Sequence, residues 1–210
     1  GQMTAEAANS LLKILEEPPP GWLFILITQQ AERLLPTVLS RVVRLRFDAP
    51  DSSAVQQILK ANGITQNAQV LAALAGGSPG RALSYNQADI FAIRREALDL
   101  LKKLPLQNPF GYIAALGWGE KYDRAAALLL TEQFIYLLRD VLLVQSGAGG
   151  RVYNTDIMAG LDGIAADWPL HTARQGVNAA QEAWQNINKN VSAKNVLEAL
   201  VLKLDLLRKE

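Results

Sequence analysis

Arg41 is the side chain best placed for chemistry in this sequence. Pro36 breaks a short leucine-containing turn, and a Ser40-Arg41 pair then leads directly into the run Val-Val-Arg-Leu-Arg-Phe at 42–47. This alternation of β-type residues predicts a strand that begins beside Arg41. An arginine fixed at such a junction can present its planar, charged guanidinium to a phosphate or carboxylate on a neighbouring molecule. The alternative is that Arg41 caps a helix end or pairs with a local acid.

Two adjacent carboxylates, Glu16 and Glu17, end the first predicted helix just before the prolines at 18–20. Thr4 can cap this helix at its start. Its predicted apolar face consists of Ala8, Leu11, Leu12 and Leu15. The helix dipole disfavours negative charge at the carboxyl end of a helix. The two carboxylates are therefore either solvated or in contact with a basic group elsewhere.

Residues 22–28 form a continuous apolar run, Trp-Leu-Phe-Ile-Leu-Ile-Thr, without alternation. Such a run predicts a strand that is covered on both faces within an α/β sheet. The polar residues Thr28-Gln29-Gln30 follow, at the end of the strand where open α/β sheets place ligand contacts. Together with the strand predicted at 42–47, this pattern predicts half of a wound α/β domain in residues 1–47.

From residue 48 onward the sequence predicts helices only. Residues 48–87 predict a small helical region in which Asp51 or Ser52 caps the first helix and Asn67 the second. Residues 88–210 predict a larger helical domain, with helices at 90–104, 111–116, 123–144, 153–161, 172–187 and 192–208. In the helix at 123–144, the positions predicted to face inward are Leu130, Phe134, Leu137, Leu138 and Val141, and those predicted to face outward are Glu132, Arg139 and Asp140. The predicted fold class is mainly α.

Composition excludes several classes of function. The 210 residues carry 21 basic and 20 acidic side chains, a formal charge of +1, so no large uniform field favours nucleic acid or membrane as the main partner. The chain has no cysteine, which excludes disulfides, thiol catalysis and cysteine metal sites, and its one histidine, His171, makes a zinc cluster improbable. His171 is predicted to lie on the surface. Trp118, Trp168 and Trp184 are predicted to be core or subunit contacts rather than platforms for bases.

The sequence also lacks the signatures of nucleotide hydrolysis and of membrane insertion. It contains no P-loop, no Gly-x-Gly-x-x-Gly and no Asp-Glu box. Its apolar runs are far shorter than the roughly 18 to 20 residues that a membrane span needs. The opening Gly-Gln-Met-Thr-Ala-Glu does not resemble a signal peptide and suggests a piece of a longer protein. We therefore predict a cytoplasmic protein.

Three segments in order resemble the clamp-loader branch of the AAA+ ATPases. They are the run Asn-Ser-Leu-Leu-Lys-Ile-Leu-Glu-Glu-Pro-Pro at 9–19, the apolar run that ends at Thr28, and Leu-Leu-Pro-Thr-Val-Leu-Ser-Arg at 34–41. The resemblance implies that the first run precedes the sensor 1 strand and that Arg41 is an arginine finger acting in trans, with Ser40 orienting the loop. The family motif is Ser-Arg-Cys, and Val42 replaces its cysteine here.

The resemblance implies three parts for the chain. Residues 1–47 would be a truncated AAA+ core, 48–87 the helical lid and 88–210 a collar. In ATP-hydrolysing clamp-loader subunits we expect a sensor 2 arginine at the position of Gly80, whereas Arg81 lies one residue along, about 100 degrees around a helix. The segments Gly-Ser-Pro-Gly-Arg-Ala-Leu at 77–83 and Asn-Lys-Asn-Val-Ser at 188–192 are instead similar to the delta-prime group, whose members are thought to donate a finger without hydrolysing ATP.

These resemblances imply a clamp-loader subunit of the bacterial replicative polymerase, DNA polymerase III. The expected partners are the gamma/tau and delta subunits, with the sliding clamp and primer-template DNA contacted indirectly and no membrane. No cofactor is expected in this fragment, which by itself should not be catalytic.

Two alternatives stay open. The chain could derive from an ATP-hydrolysing gamma/tau-type subunit, or its helical part could be a free-standing nucleic-acid-binding or adaptor domain.

Overall fold

The computed structural model describes residues 12–28 and 30–209 and divides the chain into two compact units, Gly1–Asp48 and Ala49–Glu210. The predicted cap Thr4 and the apolar positions Ala8 and Leu11 lie outside the described residues, as does Gln29. Each unit is considered by itself.

The first unit contains short helical pieces joined by irregular chain. Residues 12–16 are helical, and the helix ends before the prolines at 18–20, as predicted. A single 3₁₀ turn spans Ala31–Arg33. Helix α1 follows at Pro36–Leu39, with proline at its first position, where a missing N–H is tolerated and φ is already helical.

The two strands predicted in this unit are wrong for the structure. Residues 22–28 and 43–47 have no regular secondary structure, and the described part of the chain contains no strand. Instead of being covered, Ile27 is 93% exposed and Phe47 is 89% exposed. A strand is stable only when neighbouring strands complete its hydrogen bonds and an apolar layer covers it. No described residue pairs with either run, so both stay irregular and no strand end is formed at Thr28.

The second unit begins with three short helices that pack on one another: α2 (Ser52–Ala61), α3 (Ala68–Leu74) and α4 (Pro79–Gln87). The predicted cap Asp51 is confirmed, because its carboxylate accepts a hydrogen bond from the Ala54 amide at 2.7 Å. The capping role predicted for Asn67 is wrong. Asn67 occupies the position before α3, but in a left-handed conformation and without a side-chain cap hydrogen bond.

Gly77 sets the entry to α4. Its φ is +83°, and a Cβ at this position would lie 2.8 Å from both the Cβ of Ala49 and the carbonyl oxygen of Pro50. Only glycine satisfies both the torsion and the space. Ser78 then caps α4 by accepting a hydrogen bond from the Arg81 amide at 3.3 Å.

The remainder of the second unit is a larger helical assembly. Its helices are α5 (Ile90–Lys103), α6 (Pro109–Leu116), α7 (Trp118–Lys121), α8 (Arg124–Gln145), α9 (Met158–Asp167), α10 (Leu170–Asn188) and α11 (Ala193–Leu207). Helix α8 is the central element, because α5, α9, α10 and α11 all pack against it. The prediction of a mainly α fold is confirmed. The assignment of a truncated AAA+ core, lid and collar stays a prediction.

The inward face predicted for α8 is confirmed. Leu130, Phe134, Leu137, Leu138 and Val141 are all 0% exposed. Trp118 and Trp168 are also buried, whereas Trp184 is partly exposed and His171 lies on the surface as predicted.

Two positions predicted to face outward on α8 are wrong. Asp140 is 0% exposed, because the loop after α8 folds back over it. Its carboxylate accepts hydrogen bonds from the Tyr153 amide at 3.0 Å and from the Asn154 amide at 2.9 Å, and it pairs with Arg139 at 2.8 Å. The Glu132 side chain is only 14% exposed, because it is in contact with residues of α4.

Candidate functional site

Arg41 lies in the turn that follows α1 rather than at the entrance of a strand. The Ser40 amide donates to the Pro36 carbonyl at 3.0 Å, and the Arg41 amide donates to the Val38 carbonyl at 3.1 Å. The Val38 side chain is buried, with 2% exposure. These contacts anchor the backbone from which the Arg41 side chain projects.

The guanidinium of Arg41 is held by its own turn. Its Nη1 donates to the Thr37 carbonyl oxygen at 2.9 Å and to the Ser40 Oγ at 3.2 Å. The Ser40 hydroxyl in turn donates to the same Thr37 carbonyl at 3.1 Å. These three contacts form a closed triangle, in which the Ser40 side chain orients one end of the guanidinium.

The other end of the guanidinium pairs with a distant carboxylate. Arg41 Nη2 is in salt-bridge contact with Glu16 Oε1, at the end of the helical residues 12–16. The sequence allows Glu16 to be either solvated or in contact with a basic group. The structure shows the contact with a basic group. The local pairing considered for Arg41 is present as well. It leaves the Arg41 side chain 35% exposed, so the guanidinium is held and still accessible.

The neighbouring arginines behave differently. Arg44 is exposed, and Arg46 donates from Nε to Asp48 at 2.9 Å between two almost fully solvated side chains. A pair of this kind contributes little to stability. Both arginines are therefore exposed side chains on an irregular segment.

Arg81 is built into a second cluster, which we name the α8 polar network: Arg81 and Tyr85 of α4 with Glu132 and Tyr136 of α8. Arg81 donates from Nε to the Tyr85 hydroxyl at 2.6 Å and from Nη2 to the Tyr136 hydroxyl at 2.9 Å. Glu132 is in salt-bridge contact with Arg81 and accepts a hydrogen bond from the Tyr85 hydroxyl. Burial, reinforced by the adjacent Glu132 carboxylate, raises the pKa of Tyr85 well above its ordinary value. Sequence reasoning missed this network, since its halves lie about fifty residues apart.

The described residues offer little else that could perform chemistry. They contain no group of three or more histidine or acidic side chains that could hold a metal ion. Among the helices described, none is long and apolar enough to cross a membrane. A groove of about 410 Å³ lies between α6, α7 and α11. Its lining is mainly apolar and includes Phe110, Ile113, Trp118, Leu197 and Val201.

Comparison with known proteins relates this chain to subunits of DNA polymerase III. A family model described as "DNA polymerase III, delta subunit" matches residues 1–51, the segment that contains Glu16, Ser40 and Arg41. DNA polymerase III subunit delta' of Escherichia coli (strain K12) is 34% identical over 181 residues, which is 84% of this chain and 51% of that protein. Subunit delta' of Bacillus subtilis (strain 168) is 28% identical over 206 residues, 97% of this chain and 63% of that protein. This chain belongs to the delta-prime family of DNA polymerase III subunits.

The chain covers only part of these family members, 63% of the Bacillus protein and 51% of the Escherichia protein. It also resembles DNA polymerase III subunit gamma/tau of Mycobacterium tuberculosis (strain H37Rv), at 27% identity over 173 residues, 69% of this chain and 29% of that protein. The delta-prime matches therefore have higher identity or greater coverage than the gamma/tau match.

Proposed function

We propose that this chain is the part of a clamp-loader subunit that supplies an arginine finger to a neighbouring ATP-binding subunit. The observation that carries the proposal is the state of Arg41, which is held by its own turn and yet one third exposed. The residue also lies within the segment that matches the family model.

The chemistry expected of Arg41 is charge stabilisation. As the γ-phosphate is transferred to water, negative charge spreads over its oxygens, and a positioned guanidinium stabilises that charge. Such a group is effective when it is already oriented, because it then need not reorganise during the reaction. The Thr37 carbonyl and the Ser40 hydroxyl supply this orientation, which supports Ser40 as the residue that orients the loop.

We infer further that this chain holds no nucleotide of its own. The absence of a P-loop from the sequence supports this, as does glycine at position 80. A Cβ at Gly80 would meet no atom within 4 Å, so close packing against the backbone does not require glycine at this position. Arg81 cannot substitute for it, because its guanidinium is engaged by the α8 polar network.

The helical domain would hold the chain among the other loader subunits, in the collar that we propose for residues 88–210. Helix α6 supports this role, because its apolar Phe110 side chain is 73% exposed. Contact with gamma/tau and delta subunits would place Arg41 against a neighbour's ATP. The sliding clamp and the primer-template DNA would then be reached through the assembled loader.

The test is Arg41→Ala in the full-length subunit of a reconstituted clamp loader. Assembly should be unchanged, whereas ATP turnover at the site that Arg41 serves should fall by the factor of order 10³ to 10⁵ that arginine fingers supply. The matched control is Arg44→Ala, since Arg44 is exposed and three residues away. DNA-stimulated ATP hydrolysis measures the effect, and turnover unchanged by Arg41→Ala rejects the finger.

A gamma/tau-type motor subunit is the second candidate, favoured by the 27% identity to the mycobacterial gamma/tau protein. It makes a different prediction for the full-length protein. Titration calorimetry should detect tight ATP binding by a motor subunit, and none by a subunit that only donates a finger.

A further inference from the structure

Glu16 is joined to the candidate finger across 25 positions of sequence. Its carboxylate is in salt-bridge contact with Nη2 of Arg41, while Nη1 is bound to the Thr37 carbonyl and the Ser40 hydroxyl. The guanidinium is therefore held at both ends. The backbone turn holds one end, and a side chain from a separate helical segment holds the other.

The position of Glu16 on the chain favours a fixed carboxylate. Residues 12–16 are helical, and the amide of Glu17 donates to the carbonyl of Lys13 at 3.1 Å. The prolines at 18–20 restrict the backbone immediately afterward. Negative charge at the carboxyl end of a helix is unfavourable, and a contact with arginine offsets that cost. Glu17, the adjacent carboxylate, is exposed and provides an internal comparison.

The arrangement still leaves the guanidinium able to bind phosphate. Arginine has five N–H donors. The contacts to Thr37, Ser40 and Glu16 use three of them, which leaves donors for phosphate oxygens. Because the guanidinium is planar and rigid, fixing one Nη and then the other also fixes the direction of the remaining donors. A carboxylate at this place thus sets the rotation of the plane and does not occupy all of the charged group.

We propose that Glu16 is a positioning residue for Arg41. Acting through Arg41, it aligns the guanidinium for the transition state of phosphate transfer on the neighbouring subunit. This inference rests on the proposed function. It assigns to Glu16 no contact with the nucleotide.

The experiment is a double-mutant cycle in the full-length subunit within a reconstituted loader. Glu16→Gln removes the charge and keeps the size of the side chain. We expect it to lower the kcat of DNA-stimulated ATP hydrolysis on the order of tenfold, as loss of an orienting partner does, with KM for ATP unchanged. Glu16→Asp, which keeps the charge, should recover part of the loss. The matched control Glu17→Gln should leave kcat at the value of the unaltered protein.

The cycle separates positioning from a purely structural role. In a subunit that already carries Arg41→Ala, Glu16→Gln should cause no further loss, because its effect passes through Arg41. An equal loss in both backgrounds, an unchanged kcat, or a kcat raised by removal of a competing carboxylate would each overturn the proposal.

The two proposals fail in different ways. If Arg41→Ala lowers turnover and Glu16→Gln does not, only the positioning role is lost. If Arg41→Ala leaves turnover unchanged, the finger and the positioning role are both rejected. Gel filtration of the loader and thermal unfolding of each variant establish that assembly and folding are intact.

Discussion

Arg41 and Arg81 each meet a carboxylate and a hydroxyl, but their surroundings differ. Arg81 lies in the α8 polar network, where Tyr85 is 1% exposed and Glu132 comes from another helix. Arg41 instead meets a carbonyl and a hydroxyl within four residues of itself, and its acid, Glu16, is 47% exposed on its side chain. The first arrangement joins two helices. The second holds one arginine at the surface.

The difference teaches what an arginine's partners indicate about its role. A guanidinium whose acceptors are buried on a neighbouring helix is committed to the fold, since withdrawing it would leave a carboxylate and hydroxyls without partners. A guanidinium held by local, accessible groups can exchange or add a ligand at little cost in stability. The comparison predicts large stability effects along α8 and small ones around Arg41.

The largest effect is expected at Asp140, the buried acceptor on α8. Asp140→Ala should destabilise the protein by about 3 to 5 kcal/mol, because the Tyr153 and Asn154 amides and the charge of Arg139 lose their partner. Urea unfolding followed by circular dichroism measures this. Asp162→Ala, at an exposed position of α9, is the control and should change stability by less than about 0.5 kcal/mol. Equal effects of the two substitutions would contradict the burial argument.

An intermediate effect is expected at Glu132. Glu132→Gln removes the negative charge that faces Arg81, so it should lower the free energy of unfolding by about 2 kcal/mol. This value is smaller than for a fully buried ion pair, because Arg81 is partly exposed. The equivalent change in the other region, Glu16→Gln, should cost less than about 0.5 kcal/mol in the same urea titration. A cost at Glu16 as large as that at Glu132 would erase the distinction between the two arginines.

The smallest effect concerns alkaline pH. The pKa of Tyr85 is raised in the folded protein, so above pH 10 the unfolded chain loses this proton while the folded chain keeps it. The stabilisation is therefore complete below pH 10 and is lost as pH rises from there toward the folded pKa, at up to about 1.4 kcal/mol per pH unit. Tyr85→Phe should make the free energy of unfolding fall less steeply with pH above pH 10, by up to about 1.4 kcal/mol per pH unit. Unfolding measured from pH 8 to 11 checks it, and an unchanged slope would contradict the assignment.

Most helices of the second unit lie where the sequence predicts them, but the helix predicted at 153–161 is displaced, because α9 spans Met158–Asp167. The bounds predicted for the helix at 90–104 differ from α5 by one residue, because apolar spacing and the proline that follows are local signals. The helix predicted at 123–144 likewise begins at the right place, since Asp123 caps α8 and its carboxylate accepts a hydrogen bond from the Ala126 amide. The buried stripe of α8 follows from the same periodicity.

The failures share a different cause, which is dependence on partners distant in sequence. The runs at 22–28 and 42–47 have strand-like composition, yet a strand also needs a paired neighbour. Asp140 and Glu132 were predicted to face solvent because charge is usually solvated, and nothing local reveals that a loop and a second helix satisfy them. For the same reason the sequence does not decide whether Glu16 is solvated or contacts a basic group. Residue spacing alone does not reveal that Arg41 contacts Glu16.

The apolar side chains of helix α6 differ in their contribution: some pack against the core, and Phe110 stays available for association with another molecule. Its side chains are largely apolar. Tyr112, Ile113 and Leu116 are partly buried and pack against the core, whereas Phe110 is 73% exposed and adds little to the free energy of folding of this chain. Burying the exposed part of Phe110 under another subunit would release about 2 kcal/mol. That amount corresponds to more than a tenfold gain in affinity. The exposed apolar surface of Phe110 can thus contribute free energy only when another molecule covers it.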